Sequence, residues 1–431
     1  MEDLKATIHR KLLERINLAN LETVSRDEAK DTIRQVIQEL LHWEAAPVAL
    51  NLKERDRLAE EILDEIFGLG PLEPLMKDPE VSDILVNTAS DVWVERGGKL
   101  YRTDVRFQND RHLLQVIDRI VSGVGRRIDD SSPMVDARLP DKSRVNAIIP
   151  PLAVDGPHVS IRRFKLDVLS GEDLLGKDTL TEDMLELLVG CVQARLNILI
   201  SGGTGAGKTT LLNVLSSNIP VNERIVTIED SAELQLRQPH VVRLESRPPN
   251  VEGRGEVTVR ALVINSLRMR PDRIIVGEVR GPEAVDMLQA MNTGHDGSLT
   301  TLHANNPRDA LNRLGTMVAM ANLNLPDRAV RQQIAGGINV VIQLSRLPDG
   351  TRKIVSISEI SGMEGDVISM QDVFVFDREG MDEDGTVLGR FRATGIRPKF
   401  TEVLKSRGIE FDGLMFLDQG DGVFGKRRRK G

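Results

Sequence analysis

The chain has 431 residues, room for two or three domains, and a formal net charge of −8. That acidity gives no global attraction to nucleic acid or to a membrane surface, and 3% aromatic residues weaken any base-stacking reading. The single Cys191 excludes an internal disulfide framework and an all-cysteine zinc site, and no apolar run approaches membrane-spanning length.

Residues 1–70 read as helices. Leu4, Ile8, Leu12 and Ile16 recur every fourth position, and MEDLKATIHRKLLE lacks the apolar stretch of a secretory signal. Ser25 with Glu28 makes a capping box before Ile33, Val36, Ile37, Leu40 and Leu41. Asn51 with Glu54 is a second start signal, before Leu58, Ile62, Leu63 and Ile66; Gly68, Gly70 and Pro71 stop that helix. A small helical bundle is expected. Partner docking and simple packing on the next domain both remain open as its role.

Residues 71–167 change period and read as an α+β domain. Val92–Glu95, Gly97-Gly98 and Leu100-Tyr101 form a hairpin pattern, 111–124 a helix, and 135–139, 144–149 and 159–164 strands. Residues 168–179 carry glycines and charges and read as a linker. From 180 onward helix and strand alternate, with strands at 197–201, 224–228, 241–244, 273–277, 298–302 and 339–344. Such alternation predicts a mainly parallel sheet with flanking helices. Further strands follow at 372–376 and 387–393, joined by an acidic loop at 377–384, and the chain ends in a basic run at 426–430.

The segment NILISGGTGAGKTT, residues 197–210, has the order strand, glycine loop, Lys-Thr, helix. This is the pattern of a phosphate-binding loop. Glycines allow successive backbone N–H groups to face an anion, and the helix start adds partial positive charge. Gly202, Gly203, Thr204, Gly205, Ala206, Gly207, Lys208, Thr209 and Thr210 are therefore the nucleotide-binding candidates. Lys208 can reach the β- and γ-phosphates, and the Thr209 hydroxyl can ligate Mg²⁺. A plain glycine turn explains the glycines but not Lys-Thr at this spacing.

Hydrolysis needs acids as well. Residues 274–278 form an apolar strand ending in Glu278, and 226–230 one ending in Glu229 and Asp230, with Glu233 beyond. Ligands bind at the C-terminal ends of strands in open α/β sheets. Glu278 there can hold a Mg²⁺-bound water or orient a nucleophile; Asp230 or Ser231 can equally cap the next segment. His295 and His303 flank a short strand in TGHDGSLTTLHANN, among hydroxyl and amide side chains. Each taken alone suits a structural hydrogen bond as well as a phosphate contact.

Taken in order, GGTGAGKTT, TIEDSAELQL, RMRPDRIIVGEVRG and TGHDGSLTTLHANN resemble the Walker A, Asp box, Walker B and His box series of type II/type IV secretion and pilus ATPases. Upstream, DPEVSDILVN, DARLPDKSRVNAIIPP and VSIRRF resemble that superfamily's N-terminal domain. The resemblance spans roughly residues 70–420 and is closest to the CpaF branch, which drives tight-adherence (Tad/Flp) pili. The four-cysteine zinc element of type II secretion motors is missing from the sequence.

The resemblance implies an α/β fold: a RecA-like P-loop ATPase domain at 180–431, preceded by an α+β domain and an N-terminal helical bundle. It implies a Mg²⁺-dependent ATPase working as a homo-hexamer at the cytoplasmic face of the inner membrane, peripheral to it. Its partners are membrane platform proteins, with no direct nucleic acid. Glu278 is then the Walker B acid and a metal site together with Thr209; Glu229 and Glu233 are Asp-box acids; His295 and His303 link nucleotide state to conformation. Which of Glu229 and Glu278 is the effective base stays open. Related motors close a neighbour's N-terminal domain over ATP, which makes Arg138, Arg144 or Arg162 a candidate acting across a subunit boundary, with linker 168–179 as hinge. A nucleic-acid motor and a non-hydrolysing nucleotide scaffold are the rivals.

Overall fold

The computed structural model describes residues 7–8, 11–12, 26–44, 51–163, 169–249 and 253–417. The Ser25 start signal, Leu4, Ile16 and the basic run 426–430 lie outside them. The chain divides into two units, Met1–Lys165 and Leu166–Gly431.

In the first unit, helices Arg26–Glu44 and Leu52–Phe67 pair through their predicted stripes. Ile33, Ile37, Leu40 and Leu41 meet Leu58, Ala59, Ile62 and Leu63, and Ile8 and Leu12 join the same cluster. Full burial of each such aliphatic side chain is worth about 1.5–3 kcal/mol. The Asn51 signal is a complete capping box: Asn51 Oδ1 accepts the Glu54 N–H at 2.9 Å, and Glu54 Oε2 accepts the Asn51 N–H at 2.8 Å.

The sheet of this unit contains β1 (Val81–Thr88), β2 (Asp91–Arg96), β3 (Lys99–Arg102), β4 (Met134–Arg138), β5 (Arg144–Ile148) and β6 (His158–Arg162), in the order β3-β2-β1-β6-β5-β4. All its pairings are antiparallel. Helix Asp110–Ser122 supplies Leu113, Val116, Ile117, Ile120 and Val121 to the core beneath it. The hydrophobic period above misses β1 because its register shifts between Val81 and Asp83, which breaks the alternation.

Side-chain contacts cross the boundary expected at residue 70. Arg119 Nη1 donates to the carbonyl of Gly68 at 2.8 Å and to that of Glu65, His112 Nε2 lies 2.9 Å from Glu65 Oε2, and Lys77 pairs with Asp64 at 3.0 Å. These contacts fasten the end of helix Leu52–Phe67 to the sheet domain.

The second unit holds β7 (Ile198–Gly202), β8 (Ile225–Glu229), β9 (Val241–Glu245), β10 (Arg273–Val276), β11 (Leu299–Leu302), β12 (Val340–Arg346), β13 (Arg352–Glu364), β14 (Val367–Met381) and β15 (Val387–Ala393). Their order is β15-β14-β13-β12-β7-β11-β10-β8-β9. The strands from β12 to β9 run parallel, as predicted, and β13 to β15 extend the same sheet antiparallel. Apolar clusters cover both faces.

Two expected loops are shorter than read. Within 168–179, residues 171–176 form a helix capped by Ser170, and Leu174 is buried in the core of the second unit, so that part is not an extended spacer. Local Ser170–Asp173 capping outweighs the two glycines there. The acidic stretch 377–384 is strand as far as Met381; Asp382 then turns the chain by accepting the Thr386 N–H at 2.7 Å.

Candidate functional site

The phosphate loop grows from β7, which is buried along its whole length. Gly205 and Gly207 take φ of +70° and +98°, the left-handed region that favours glycine. Gly202 is needed for another reason: a Cβ there would lie 2.6 Å from the Leu344 carbonyl oxygen of β12. Helix Lys208–Ser216 starts directly after Gly207. Lys208 is buried, and its Nζ donates to the carbonyls of Gly202 and Gly203, both at 3.1 Å. Ala206 is buried, while Thr209 and Thr210 are partly exposed in the first turn and Thr204 is exposed at the loop tip.

The sheet order places three other strand ends on the same edge of the sheet as this loop. β11 lies next to β7, β10 next to β11, and β8 next to β10, all parallel. Their C-terminal ends carry His303, Glu278 and Glu229. His303 Nε2 is 3.3 Å from Lys208 Nζ and 2.8 Å from Glu278 Oε1. Burial, together with Lys208, Arg280 and Arg313, pushes the His303 imidazole below its ordinary range, against the opposing pull of Glu278. Glu278 Oε2 also accepts from Arg280 Nε at 2.7 Å, and Arg280 Nη1 reaches Asp230 Oδ2 at 3.3 Å. Burial works against the Arg280 charge, yet Glu278, Asp230 and Glu233 hold it above its ordinary range.

Glu229 has a different environment. It is 4% exposed, and its Oε2 accepts the N–H groups of Glu233 at 2.8 Å and Leu234 at 2.9 Å. Burial raises its pKa to about 7, against the lowering effect of those two bonds. Oε1 has no hydrogen-bond partner among the described residues. Gly277 makes room for it, since a Cβ there would meet Glu229 Cγ at 2.8 Å. The Glu229 carboxyl therefore organises the 230–234 loop. The side chain of Glu233 is partly exposed.

His295 is not brought to the loop. It precedes β11 by four residues, whereas His303 follows it, so the two histidines lie at opposite ends of that strand. Four strand residues span about 13 Å. The His295 backbone is held locally, its N–H on the Ala290 carbonyl and its carbonyl on Ser298 Oγ.

Arg138, Arg144 and Arg162 belong to the first unit and share one transverse row. Arg138 on β4 faces Arg144 on β5, which faces Arg162 on β6, which faces Asp83 on β1. Residues opposed in register share a sheet face. Arg162 Nε pairs with Asp83 at 3.2 Å, and Arg138 Nε donates to the Lys142 carbonyl at 3.4 Å. Arg163 is committed to backbone, donating to the carbonyls of Val81 and Asp78.

Two arginines beside the phosphate loop escape the motif reading. Arg352 Nε donates to the Gly205 carbonyl at 2.8 Å, and Arg346 Nη1 lies 3.3 Å from where a Gly205 Cβ would be. They come from the β12–β13 hairpin, which carries none of the four motifs; the Leu-Pro-Asp-Gly-Thr turn between them is the one sequence signal of their pairing.

The residues fit a nucleotide and a hard cation. The loop is a glycine cradle with a buried lysine across it, and the candidate cation donors are a hydroxyl (Thr209) and the carboxylate of Glu278, which His303 links to Lys208. Among the described residues no cluster of three or more His, Cys, Asp or Glu forms a metal centre by itself, and no helix is long and apolar enough to cross a membrane.

The chain is 40% identical over 331 residues to a putative conjugal transfer protein of Mycobacterium tuberculosis (strain ATCC 25618 / H37Rv), a match covering 75% of this chain and 93% of that one. It is 30% identical over 318 residues to the conjugal transfer protein TrbB of Rhizobium radiobacter, covering 73% and 93%. Among solved structures, the VirB11 ATPase of the Brucella suis type IV secretion system is 29% identical, with a TM-score of 0.37, over 70% of this chain and 96% of that one. Residues 65–392 match the family model described as Type II/IV secretion system protein, and the chain belongs to that family.

Proposed function

We propose that the chain is a Mg²⁺-dependent ATPase subunit that powers pilus assembly or protein secretion. The observation that carries this reading is the convergence of Lys208, His303 and Glu278. Contacts of 3.3 and 2.8 Å link the three side chains at the mouth of a glycine cradle. Phosphoryl transfer asks a protein mainly for positioning and charge stabilisation, and these groups supply both. Lys208 neutralises the terminal phosphates. Thr209 and Glu278 would hold Mg²⁺, which when bound screens the phosphate charge. Glu278, 18% exposed and held between His303 and Arg280, is better placed than Glu229, whose carboxyl is committed to the 230–234 loop, to orient a water. Glu229 keeps the neighbouring loop in shape.

The arginine row of β4, β5 and β6 supports a trans role. Register puts Arg138, Arg144 and Arg162 on one sheet face, so several guanidinium groups could address a single anion from one side. In this reading subunits assemble into a homo-hexamer, and an arginine from one subunit's first unit completes a neighbour's site. The CpaF-like motif series favours a Tad-type pilus as the product, with the ring peripheral to the inner membrane and its work passed to membrane platform proteins. A second reading is export through a conjugation-type channel, favoured by the similarity to proteins named for conjugal transfer. Pull-down from detergent-solubilised membranes, with identification of the integral-membrane partner, separates the two. Steady-state phosphate release tests the ATPase itself, and no release by assembled wild-type protein with Mg²⁺ and ATP removes the proposal. DNA-stimulated hydrolysis with a steep salt dependence would instead favour a nucleic-acid motor.

A further inference from the structure

A phosphate loop works when its N–H groups face inward, which turns its carbonyls away from the anion and leaves them in need of donors. Lys208 serves the carbonyls of Gly202 and Gly203. The carbonyl of Gly205, in the left-handed middle of the loop, is served by Arg352 Nε at 2.8 Å. The Arg352 side chain continues along the loop, with Cδ 3.4 Å from the Cβ position of Gly207. Arg346 is its register partner across the hairpin, and its guanidinium reaches Gly205 from the adjacent strand.

The platform under both arginines is well braced. β12 pairs with β7 up to Leu344 opposite Gly202, so the hairpin leaves the sheet where the loop begins. Asp349 organises the turn: Oδ1 accepts the Thr351 N–H at 2.9 Å and its hydroxyl at 2.7 Å, while Oδ2 accepts the Val387 N–H at 2.9 Å. A turn tied to β15 in this way gives the two arginines a fixed origin.

We propose that Arg352, assisted by Arg346, is a positioning residue that keeps the phosphate loop shaped for a polyphosphate bound to the same subunit. This rests on the nucleotide reading of the loop. Arg352 acts through the Gly205 carbonyl rather than by touching the reacting atoms. Without it the loop carbonyl is released, the glycines regain backbone freedom, and binding must reorder them. The cost falls on affinity. Turnover at saturation depends on Glu278 and His303, which lie on other strands.

The test measures binding of ATP, ADP, AMP and inorganic pyrophosphate to the full chain by calorimetry, with phosphate release in parallel. For Arg352→Ala we expect ATP, ADP and pyrophosphate to bind about tenfold more weakly, with AMP little changed. KM should rise by a similar factor while kcat falls less than threefold. Arg346→Ala should show a smaller loss in the same pattern. Arg352→Lys keeps the charge but not the Nε donor, so it should remain at least threefold weaker than wild type; it also carries the test if the alanine variant fails to fold. Wild-type affinity in Arg352→Lys, or equal loss of KM and kcat terms in a folded Arg352→Ala, would overturn the assignment. If the wild-type chain bound neither ATP nor pyrophosphate, the nucleotide reading would fall first.

Discussion

His303 Nε2 lies 2.8 Å from Glu278 Oε1, joining residues that follow two neighbouring parallel strands. Lys208 Nζ is 3.3 Å from the same ring nitrogen. A nucleotide phosphate placed on the loop would meet a lysine, an imidazole and a carboxylate already in contact. We propose that rearrangement of that chain of contacts registers whether the terminal phosphate is present.

The two ends of the chain of contacts should separate binding from turnover. Lys208→Ala is expected to weaken ATP binding and abolish hydrolysis. Glu278→Gln keeps shape and loses charge, so it should retain ATP while phosphate release drops by roughly 10²–10⁴. Filter binding and phosphate release, measured on the same preparations, check both. Hydrolysis by Glu278→Gln at the parent rate would remove Glu278 from its role.

The histidines should behave unequally. His303→Ala breaks the link between Lys208 and Glu278, and phosphate release should fall roughly tenfold or more, in the manner of a lost preorganised group. His295→Ala changes a side chain at the far end of β11 and should stay within about twofold of wild type. Equal losses in the two folded variants would contradict the geometry.

Glu229 predicts a pH signature in stability. Its folded pKa of about 7 exceeds the reference value of 4.5, so the folded state binds a proton more tightly than the unfolded chain. The associated stability is fully present below 4.5 and is lost as pH rises towards and through 7. A shift of this size corresponds to about 3 kcal/mol. In Glu229→Gln the amide oxygen can still accept the N–H groups of Glu233 and Leu234, and that ionisation is gone. The decline in Tm between pH 5 and pH 8 should therefore be shallower in the variant, with the variant the more stable at pH 8. Parallel melting curves against pH would show that Glu229 titrates normally.

The arginine row predicts complementation between subunits. An arginine facing a terminal phosphate is worth roughly 10³–10⁵ in rate. Arg138→Ala, Arg144→Ala or Arg162→Ala should lower phosphate release, and activity of the wild type should rise with protein concentration. Mixing Lys208→Ala subunits with arginine-deficient subunits should restore part of the rate, because some interfaces then pair an intact loop with an intact row. Absence of recovery at every ratio, in rings confirmed as mixed, would rule out the trans role.

Much of the site is written locally. Gly205 and Gly207 can adopt left-handed φ because of what they are, Lys208 must follow where the helix begins, and Glu278 and Glu229 end apolar runs that can only be buried strands. The stripes of helix Leu52–Phe67 and the Asn51 capping box depend on neighbours three or four residues away, so they are equally legible. These features are short-range consequences of backbone sterics and hydrophobic period, and the sequence by itself determined them.

What the sequence left open depends on long-range pairing. Insertion of β11 between β7 and β10 is what brings His303 to Lys208 and sends His295 to the other end, although both histidines look alike in the motif. Glu229 and Glu278 end similar strands, yet burial beneath the Gly277 backbone makes one an organiser of its loop, while the other is held between His303 and Arg280 beside the phosphate-loop lysine. Register alone aligns Arg138, Arg144 and Arg162, and a hairpin beginning more than a hundred residues after the phosphate loop supplies Arg346 and Arg352. Strand order and register are set by side-chain packing over the whole sheet, a sum over distant residues that no local window contains, so only the tertiary structure decided which of these groups meet.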